Sequence, residues 1–374
     1  MSDQLRNQYM PAEVTPPGET LQDTLDALGM SQVELAMRMG RPKKTINELI
    51  QGKAAITPET ALQLEQVLGI PASFWNNRER RYRDSLARRE AAQKLASQTA
   101  WLKEMPIREM VKRGWINAAS DAVAQLRETL GFFGVTSPDQ WRALYSQEAA
   151  AFRKSPSFEG NHVAVAAWLR RGERLAQRID CAPYDATKFR EVLQQARRLT
   201  VKPILEALVE LIDLCASVGV AVVVVPELPG TRACGAARWL SPNKALIQLS
   251  WRYKSDDQFW FTFFHEASHI LLHGKHHVFV DPDIGGQQAD QSATEQEADN
   301  YASNILISTA DWQRFIKTMD FRDEETIVKF AEELGIAPGI VVGKLQHLER
   351  LAPNLYNNLK KSLKEFSNLE IPPA

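Results

Sequence analysis

The sequence predicts a mainly helical α+β protein with a small β-sheet in its C-terminal half. Helical spacing of Arg, Ala and Leu continues through most of residues 18–200. Short β-branched runs separated by turn formers begin only after Pro203. The 374 residues are enough for two or three domains, each with its own core.

The composition is that of an ordinary soluble protein, with 44% apolar and 24% charged residues. No run reaches the roughly 18–20 apolar residues needed to cross a bilayer. The polar start, MSDQLRNQYMPAE, lacks the pattern of a secretory signal. Three scattered cysteines without a CxxC pair argue against disulfides and against a cysteine-ligated metal. We therefore expect a cytoplasmic protein without membrane contact.

Two short helices separated by a glycine turn are predicted near the start, at 30–40 and 41–52. Ile46 and Leu49 would bury the second helix and leave its polar side chains facing outward. Those side chains suit base edges and phosphates. The expected DNA-contacting residues are Lys43, Lys44, Thr45 and Asn47, with Gln32 and Lys53 at phosphates.

The stretch from Pro17 to Trp75 resembles the Cro/C1-type (XRE) helix-turn-helix, in the version found in HigA-type antitoxins. The resemblance rests on PGETL, SQVELA and KKTINELIQGKAAITPETALQLEQVLG. It implies binding to a double-stranded DNA operator by a homodimer, because such domains usually read two half-sites. Since the formal net charge is −1, DNA binding would depend on this local patch. A bundle used only for protein contacts is the alternative.

The arginine-rich segment after this stretch permits two interpretations. It is either a solvated helix with interspersed acids or an extension that holds the DNA backbone. Its arginines are Arg78, Arg80, Arg81, Arg83, Arg88 and Arg89.

The C-terminal half is predicted to contain strands followed by two helices. The strand-like segments are 218–225, 233–240 and 245–250. The helices lie at about 257–273 and 293–307, separated by a loop that contains Gly and Asp.

The first of these two helices carries the pattern His265-Glu266-Ala-Ser-His269. Residues i and i+4 share one helix face, so both imidazoles can reach one metal ion, and the adjacent Glu266 can act as a base. Flanking Phe and Leu residues indicate a buried helix, in which unpaired polar groups would be costly. The alternative is a pair of histidines on a helix surface.

A zinc site of this type needs a third protein ligand. Glu295 shares a helix stripe with Asp299, whereas Glu297 points about 160° away from Glu295. We therefore predict Glu295 as the ligand and Asp299 as the acceptor for the free N–H of a ligating histidine. Glu295 could instead be an acid favoured by the helix dipole. His273 is too far along the helix to share the ion, and it is expected to contact helix carbonyls or substrate.

The C-terminal half resembles the ImmA/IrrE family of gluzincin-like metallopeptidases. The resemblance rests on HExxH followed after 25 residues by ExEAD, with a Val-rich strand and a hairpin before them. The resemblance covers about residues 205–345. It implies Zn²⁺ bound by His265, His269 and Glu295, with Glu266 as the catalytic base. It also implies cleavage of protein regulators, commonly transcriptional repressors.

The expected protein is thus an antitoxin-like transcriptional regulator with a zinc metallopeptidase domain that cleaves a protein regulator or itself. Its protein partner would be a substrate, a toxin or a repressor. There are two alternatives. The first is a repressor whose zinc module is structural or a sensor. The second is a protease that its DNA-binding domain delivers to a DNA-bound target. We expect the strand at 244–250 to align substrate by β-augmentation, with Tyr253 or His273 as an oxyanion assistant.

These expectations divide the chain into five segments. They are a flexible arm (1–17), a helix-turn-helix domain (18–77), a helical middle region (78–203), a metallopeptidase-like domain (204–350) and a C-terminal tail (351–374).

Overall fold

The computed structural model describes residues 15–153, 161–252, 254–274, 279–282 and 293–371. Most of the predicted arm and Tyr253 lie outside these residues. The chain divides into two compact units, Met1–Thr99 and Ala100–Ala374.

The described part of the first unit contains five helices. They are α1 (Pro17–Ala27), α2 (Gln32–Met39), α3 (Lys43–Ile50), α4 (Pro58–Leu68) and α5 (Ala72–Ala96). α2 begins where the Ser31 hydroxyl accepts the N–H of Glu34, and it ends at Gly40 in the left-handed conformation. Leu21, Leu35 and Ile46 are fully buried and join the first three helices in one core.

The second unit contains the remaining helices of the described chain. They are α6 (Ile107–Lys112), α7 (Ala122–Phe133), α8 (Pro138–Arg153), α9 (His162–Ala176), α10 (Ala186–Leu199), α11 (Ile204–Ala216), α12 (Asp256–Leu272), α13 (Ala293–Leu306), α14 (Thr309–Thr318), α15 (Glu324–Leu334) and α16 (Pro338–His347). Short 3-10 helices lie at Thr99–Glu104, Asn357–Leu359 and Lys364–Phe366.

One four-stranded sheet lies in the second unit, so the α+β class is confirmed. Its strands are β1 (Val220–Val224), β2 (Ala233–Ser241), β3 (Lys244–Leu249) and β4 (Phe279–Pro282). They lie in the order β1-β3-β2-β4. β1 pairs with β3 in parallel, and both other pairings are antiparallel.

β4 is a strand that the sequence pattern did not predict, because four residues are too few to show alternation. The expectation that residues 244–250 align a substrate is wrong. β3 lies between β1 and β2, and both of its edges are therefore paired.

Residues of the predicted C-terminal tail return to the sheet and to α12. Ile371 forms an antiparallel bridge with Val224 of β1, and Ser362 forms one with Ser255 just before α12. The indole N–H of Trp251 donates to the carbonyl of Leu369 over 2.7 Å. The tail thus pairs with β1 at the last residue of that strand.

α9 packs closely on the sheet at Gly172. The fully buried Gln248 of β3 donates from its side-chain amide to the carbonyl of Trp168 over 2.8 Å. A Cβ at position 172 would overlap that amide. Glycine is required there because the helix backbone and the buried amide share the same space. Within the described residues, no helix has the length and apolar character that crossing a bilayer requires.

We expect Gly172→Ala to lower the free energy of unfolding by about 1–3 kcal/mol, because overpacking forces the helix away from the sheet. The control is Gly131→Ala in α7, where an added Cβ would meet no atom within 4 Å. That change should leave stability equal or raise it by up to about 1 kcal/mol. Denaturant unfolding measures both, and equal stabilities would contradict this account of the packing.

Candidate metal centre and nucleic-acid interface

α12 places His265 and His269 on one face inside the core of the second unit. Phe263, Phe264 and Ala267 are fully buried around them, and both imidazoles are almost completely buried as well. One helical turn separates the two rings, whose Nε2 atoms lie 3.0 Å apart.

α13 brings Glu295 to the same point. Its Oε2 lies 3.2 Å from Nε2 of His265 and 3.5 Å from Nε2 of His269. Among the described residues, these three are the group that could hold a metal ion. A tetrahedral ion with ligand distances of about 2.0–2.1 Å would separate its ligand atoms by about 3.3 Å. The observed spacing fits this geometry.

The ionisation states of this group favour cation binding. Burial opposes ionisation of Glu295, but hydrogen bonds from the two imidazoles outweigh it and lower the pKa of the carboxyl well below its usual range. Burial also lowers the pKa of His269, against the opposite effect of Glu295. A carboxylate and a neutral imidazole therefore face the same point.

Asp299 lies one turn after Glu295 on α13 and orients His265. Its Oδ1 accepts a hydrogen bond from Nδ1 of His265 over 2.9 Å. We assign the Nδ1 proton to this bond, so that the Nε2 lone pair would be available to a metal ion in place of the hydrogen bond to Glu295. The three donor atoms would then converge on one cation.

His273 lies directly behind His269. The two Nδ1 atoms are 2.9 Å apart, and Nε2 of His273 lies 3.5 Å from the carboxylate of the largely exposed Glu297. The structure places the His273 ring beside a neighbouring imidazole, and its expected contact with helix carbonyls or substrate stays a prediction. Glu297 lies outside the group of three, as its helical position predicts.

Glu266 is fully buried against strand β2. A Cβ added at Gly235 would lie 2.6 Å from Oε1 of Glu266 and 2.7 Å from Cγ2 of Thr262. Gly235 therefore makes the space that the Glu266 carboxylate uses. Sequence reasoning missed Gly235, although a glycine inside a strand-like run is the usual signal of such a close approach.

α13 can approach α12 because it presents small residues. Ala298 and Ala302 are fully buried. The buried hydroxyl of Ser268 donates to the carbonyl of His265 at 2.6 Å and also reaches the carbonyl of Ala298 at 3.3 Å. These contacts set the position of Glu295 relative to the two imidazoles.

The predicted DNA-contacting residues lie on the helix pair of the first unit. Lys43, Lys44, Asn47 and Lys53 are exposed, and Thr45 is half-buried. Nζ of Lys44 is 3.8 Å from the Glu48 carboxylate. The structure thus brings together a short basic and polar surface over α3.

Gln32 is a predicted DNA contact whose side chain joins two helices of the first unit. Its amide donates to the side chain of Gln22 in α1 over 2.8 Å, and the residue is half-buried. α2 is therefore held to α1 at the position expected to face a phosphate.

Two family profiles match this chain. The profile described as helix-turn-helix matches residues 21–75, and the IrrE N-terminal-like domain matches residues 223–346. The HTH-type transcriptional regulator YddM of Escherichia coli K12 is 41% identical over 61 residues, or 16% of this chain. The chain spans 65% of that regulator's length.

Two further proteins resemble the chain over about a quarter of its length. Virulence-associated protein A of Dichelobacter nodosus is 31% identical over 88 residues, which are 23% of this chain and 82% of that protein. A solved addiction module antidote protein of the HigA family from Coxiella burnetii is 29% identical, with a TM-score of 0.22. That match covers 23% of this chain and 95% of the antidote protein.

The first unit therefore carries a helix-turn-helix DNA-binding domain, and the second unit carries an IrrE N-terminal-like domain. Both expected resemblances are thereby confirmed.

We expect Asp299→Ala to weaken divalent-metal binding by about 10–100-fold, because His265 would lose the acceptor that orients its ring. Glu297→Ala removes the same charge from the same helix at a largely exposed position and should change the affinity little. Competition with a chromogenic chelator measures both. Equal affinities in the two variants would show that Asp299 has no orienting role.

Proposed function

We propose that the chain is a DNA-binding transcriptional regulator whose second unit is a zinc-dependent endopeptidase. Its substrate would be a protein regulator or the chain itself. The observation that supports the peptidase activity most directly is the position of Glu266. Glu266 directly follows His265 on the buried helix α12. His265 is one of the two histidines that form the donor group together with Glu295.

The donor set favours zinc, since imidazole nitrogens and one carboxylate at tetrahedral spacing suit that ion. IrrE-like domains are typically metallopeptidases. His265, His269 and Glu295 would hold the ion, and bound zinc would supply a Lewis acid that acidifies water and polarises a peptide carbonyl.

The chain's own residues supply the proton transfer and the geometry. Glu266 would accept a proton from the attacking water and later pass it to the leaving amine. Gly235 allows its carboxylate to sit close to β2. Asp299 and His273 would hold the two imidazoles in position through their Nδ1 atoms.

An extended substrate would align along β4. In the described sheet β3 is interior, and Ile371 pairs with the last residue of the edge strand β1. β4 is the other edge strand, and its outer side could accept a peptide by β-augmentation.

The first unit would bind an operator as a homodimer, with α3 in the major groove. Lys43, Lys44, Thr45 and Asn47 would meet bases and phosphates, and Lys53 would meet a phosphate. Since the amide of Gln32 is held by Gln22, it would position α2 and add one contact to the backbone.

Purified protein should contain close to one zinc ion per chain. His265→Ala should lose the ion, whereas Glu266→Gln should keep it and lower peptide cleavage by about 10²–10⁴-fold, because only the base is removed. Metal analysis and mass spectrometry of new protein termini in cells carrying wild type or Glu266→Gln measure the two effects. Identical termini together with retained zinc would instead indicate a structural or sensor module.

Replacing Lys43 and Lys44 together with alanine should weaken DNA binding and flatten its salt dependence. The slope of log K against log salt is negative, and each lost phosphate contact reduces its magnitude by about 0.9. Fluorescence anisotropy on a short duplex over several salt concentrations measures the slope. Lys94→Ala, at an exposed position late in α5, is the control and should bind as wild type does. An unchanged slope in the double variant would reject the role of α3.

A further inference from the structure

A cavity of about 400 Å³ lies in the helical middle region of the second unit. It is open to solvent and is lined by the segment after α6, by α7 and by α9. The residues that matter for its chemistry are Trp115, Arg127, Gly131, Phe132 and Arg174. None of its lining residues belongs to α12 or α13, so it is separate from the metal centre.

One wall of this cavity is aromatic and held in place. The rings of Trp115 and Phe132 are parallel, with centroids 6.2 Å apart, and both residues are buried. The indole N–H of Trp115 donates to the carboxylate of Glu370 over 3.1 Å. That carboxylate is also paired with Arg171 of α9. The parts of these two rings that line the cavity are therefore fixed before any ligand arrives.

The other wall carries two arginines, Arg127 and Arg174, and one acid, Glu128. Cζ of the half-buried Arg174 lies 5.3 Å from the centroid of the Phe132 ring. Burial lowers the pKa of Arg174, and the nearby Arg170 and Arg171 lower it further, against a weaker opposite effect of Glu128.

Among the described residues, the neighbouring arginines on α9 form ion pairs with acids, whereas Arg174 forms none. Arg170 pairs with Glu173 at 2.8 Å, and Arg171 pairs with Glu370. Within the described part of the chain, neither Arg174 nor Arg127 forms an ion pair. A partly desolvated guanidinium is costly unless an anion completes it.

Gly131 lines the cavity without a side chain that would occupy it. It lies within α7 and is exposed, and a Cβ built on it would meet no atom within 4 Å. The position offers bare backbone to a ligand, and it can accept a side chain without a clash. It can therefore be used to fill the cavity while the helix is kept.

We propose that this cavity binds a small aromatic anion, in which a carboxylate or phosphate meets Arg174 and Arg127 and a ring lies against Phe132. A volume of about 400 Å³ is near the lower end of the range for small-molecule sites. Arg174 belongs to α9, the helix that packs on β3 through Gly172. The site is thus an effector site of the regulator, on a helix that also supports the sheet.

Isothermal titration calorimetry of the full chain with benzoate, phenyl phosphate, inorganic phosphate and phenol tests the site. At least one aromatic anion should bind more tightly than both inorganic phosphate and phenol. Comparing benzoate with phenyl phosphate decides between a carboxylate and a phosphate head. If phenol binds as tightly as the aromatic anions, the arginines have no role. If inorganic phosphate binds as tightly as they do, the aromatic wall has no role. If neither aromatic anion binds, the proposed site is overturned.

Three variants locate the binding. Arg174→Gln should weaken it by about 10–100-fold through loss of a charge-assisted contact. Gly131→Leu should abolish it by filling the cavity, and thermal unfolding verifies that this variant stays folded. Arg178→Gln removes an exposed arginine from the same helical region outside the cavity and should bind as wild type does. Full affinity in folded Gly131→Leu would overturn the proposal.

Discussion

The convergence of two imidazoles and a carboxylate between α12 and α13 is the constraint on which the second unit depends. Their donor atoms lie 3.0–3.5 Å apart inside a core of aromatic and aliphatic side chains. Such a group can be buried only if the two helices approach closely and each polar atom points toward a partner. Ala298 and Ala302 permit the approach, and the hydroxyl of Ser268 bridges the two backbones. The sheet closes the opposite side of α12, where Gly235 leaves room for Glu266.

Each of the two imidazole rings is oriented by a single hydrogen bond to a residue outside the donor group. Asp299 meets the outer nitrogen of His265, and His273 meets that of His269. The inner nitrogens of both rings then face Glu295. This is the arrangement that a metal site requires, because ligand rings that can rotate bind an ion weakly. The same network explains why the spare histidine of α12 lies behind the site.

The two units present different chemistry within one nearly neutral chain. The first unit has a local basic surface over α3, which suits DNA although the net charge is −1. The second unit buries two imidazoles and a carboxylate together between α12 and α13. In its middle region the half-buried Arg174 lines a cavity and forms no ion pair with the described residues. We infer that a ligand completes this place.

The sequence by itself determined the fold class, the two family resemblances and, through helix periodicity, the choice of Glu295 over Glu297. These features are local, since spacing along one helix decides which side chains share a face. Tertiary structure decided the rest. β4 exists because β2 offers it a partner, and β3 became an interior strand because β1 pairs with it from a distance in the chain. The contacts of His273 and Gly235 likewise depend on which elements meet in space, and no single-helix or single-strand period encodes that.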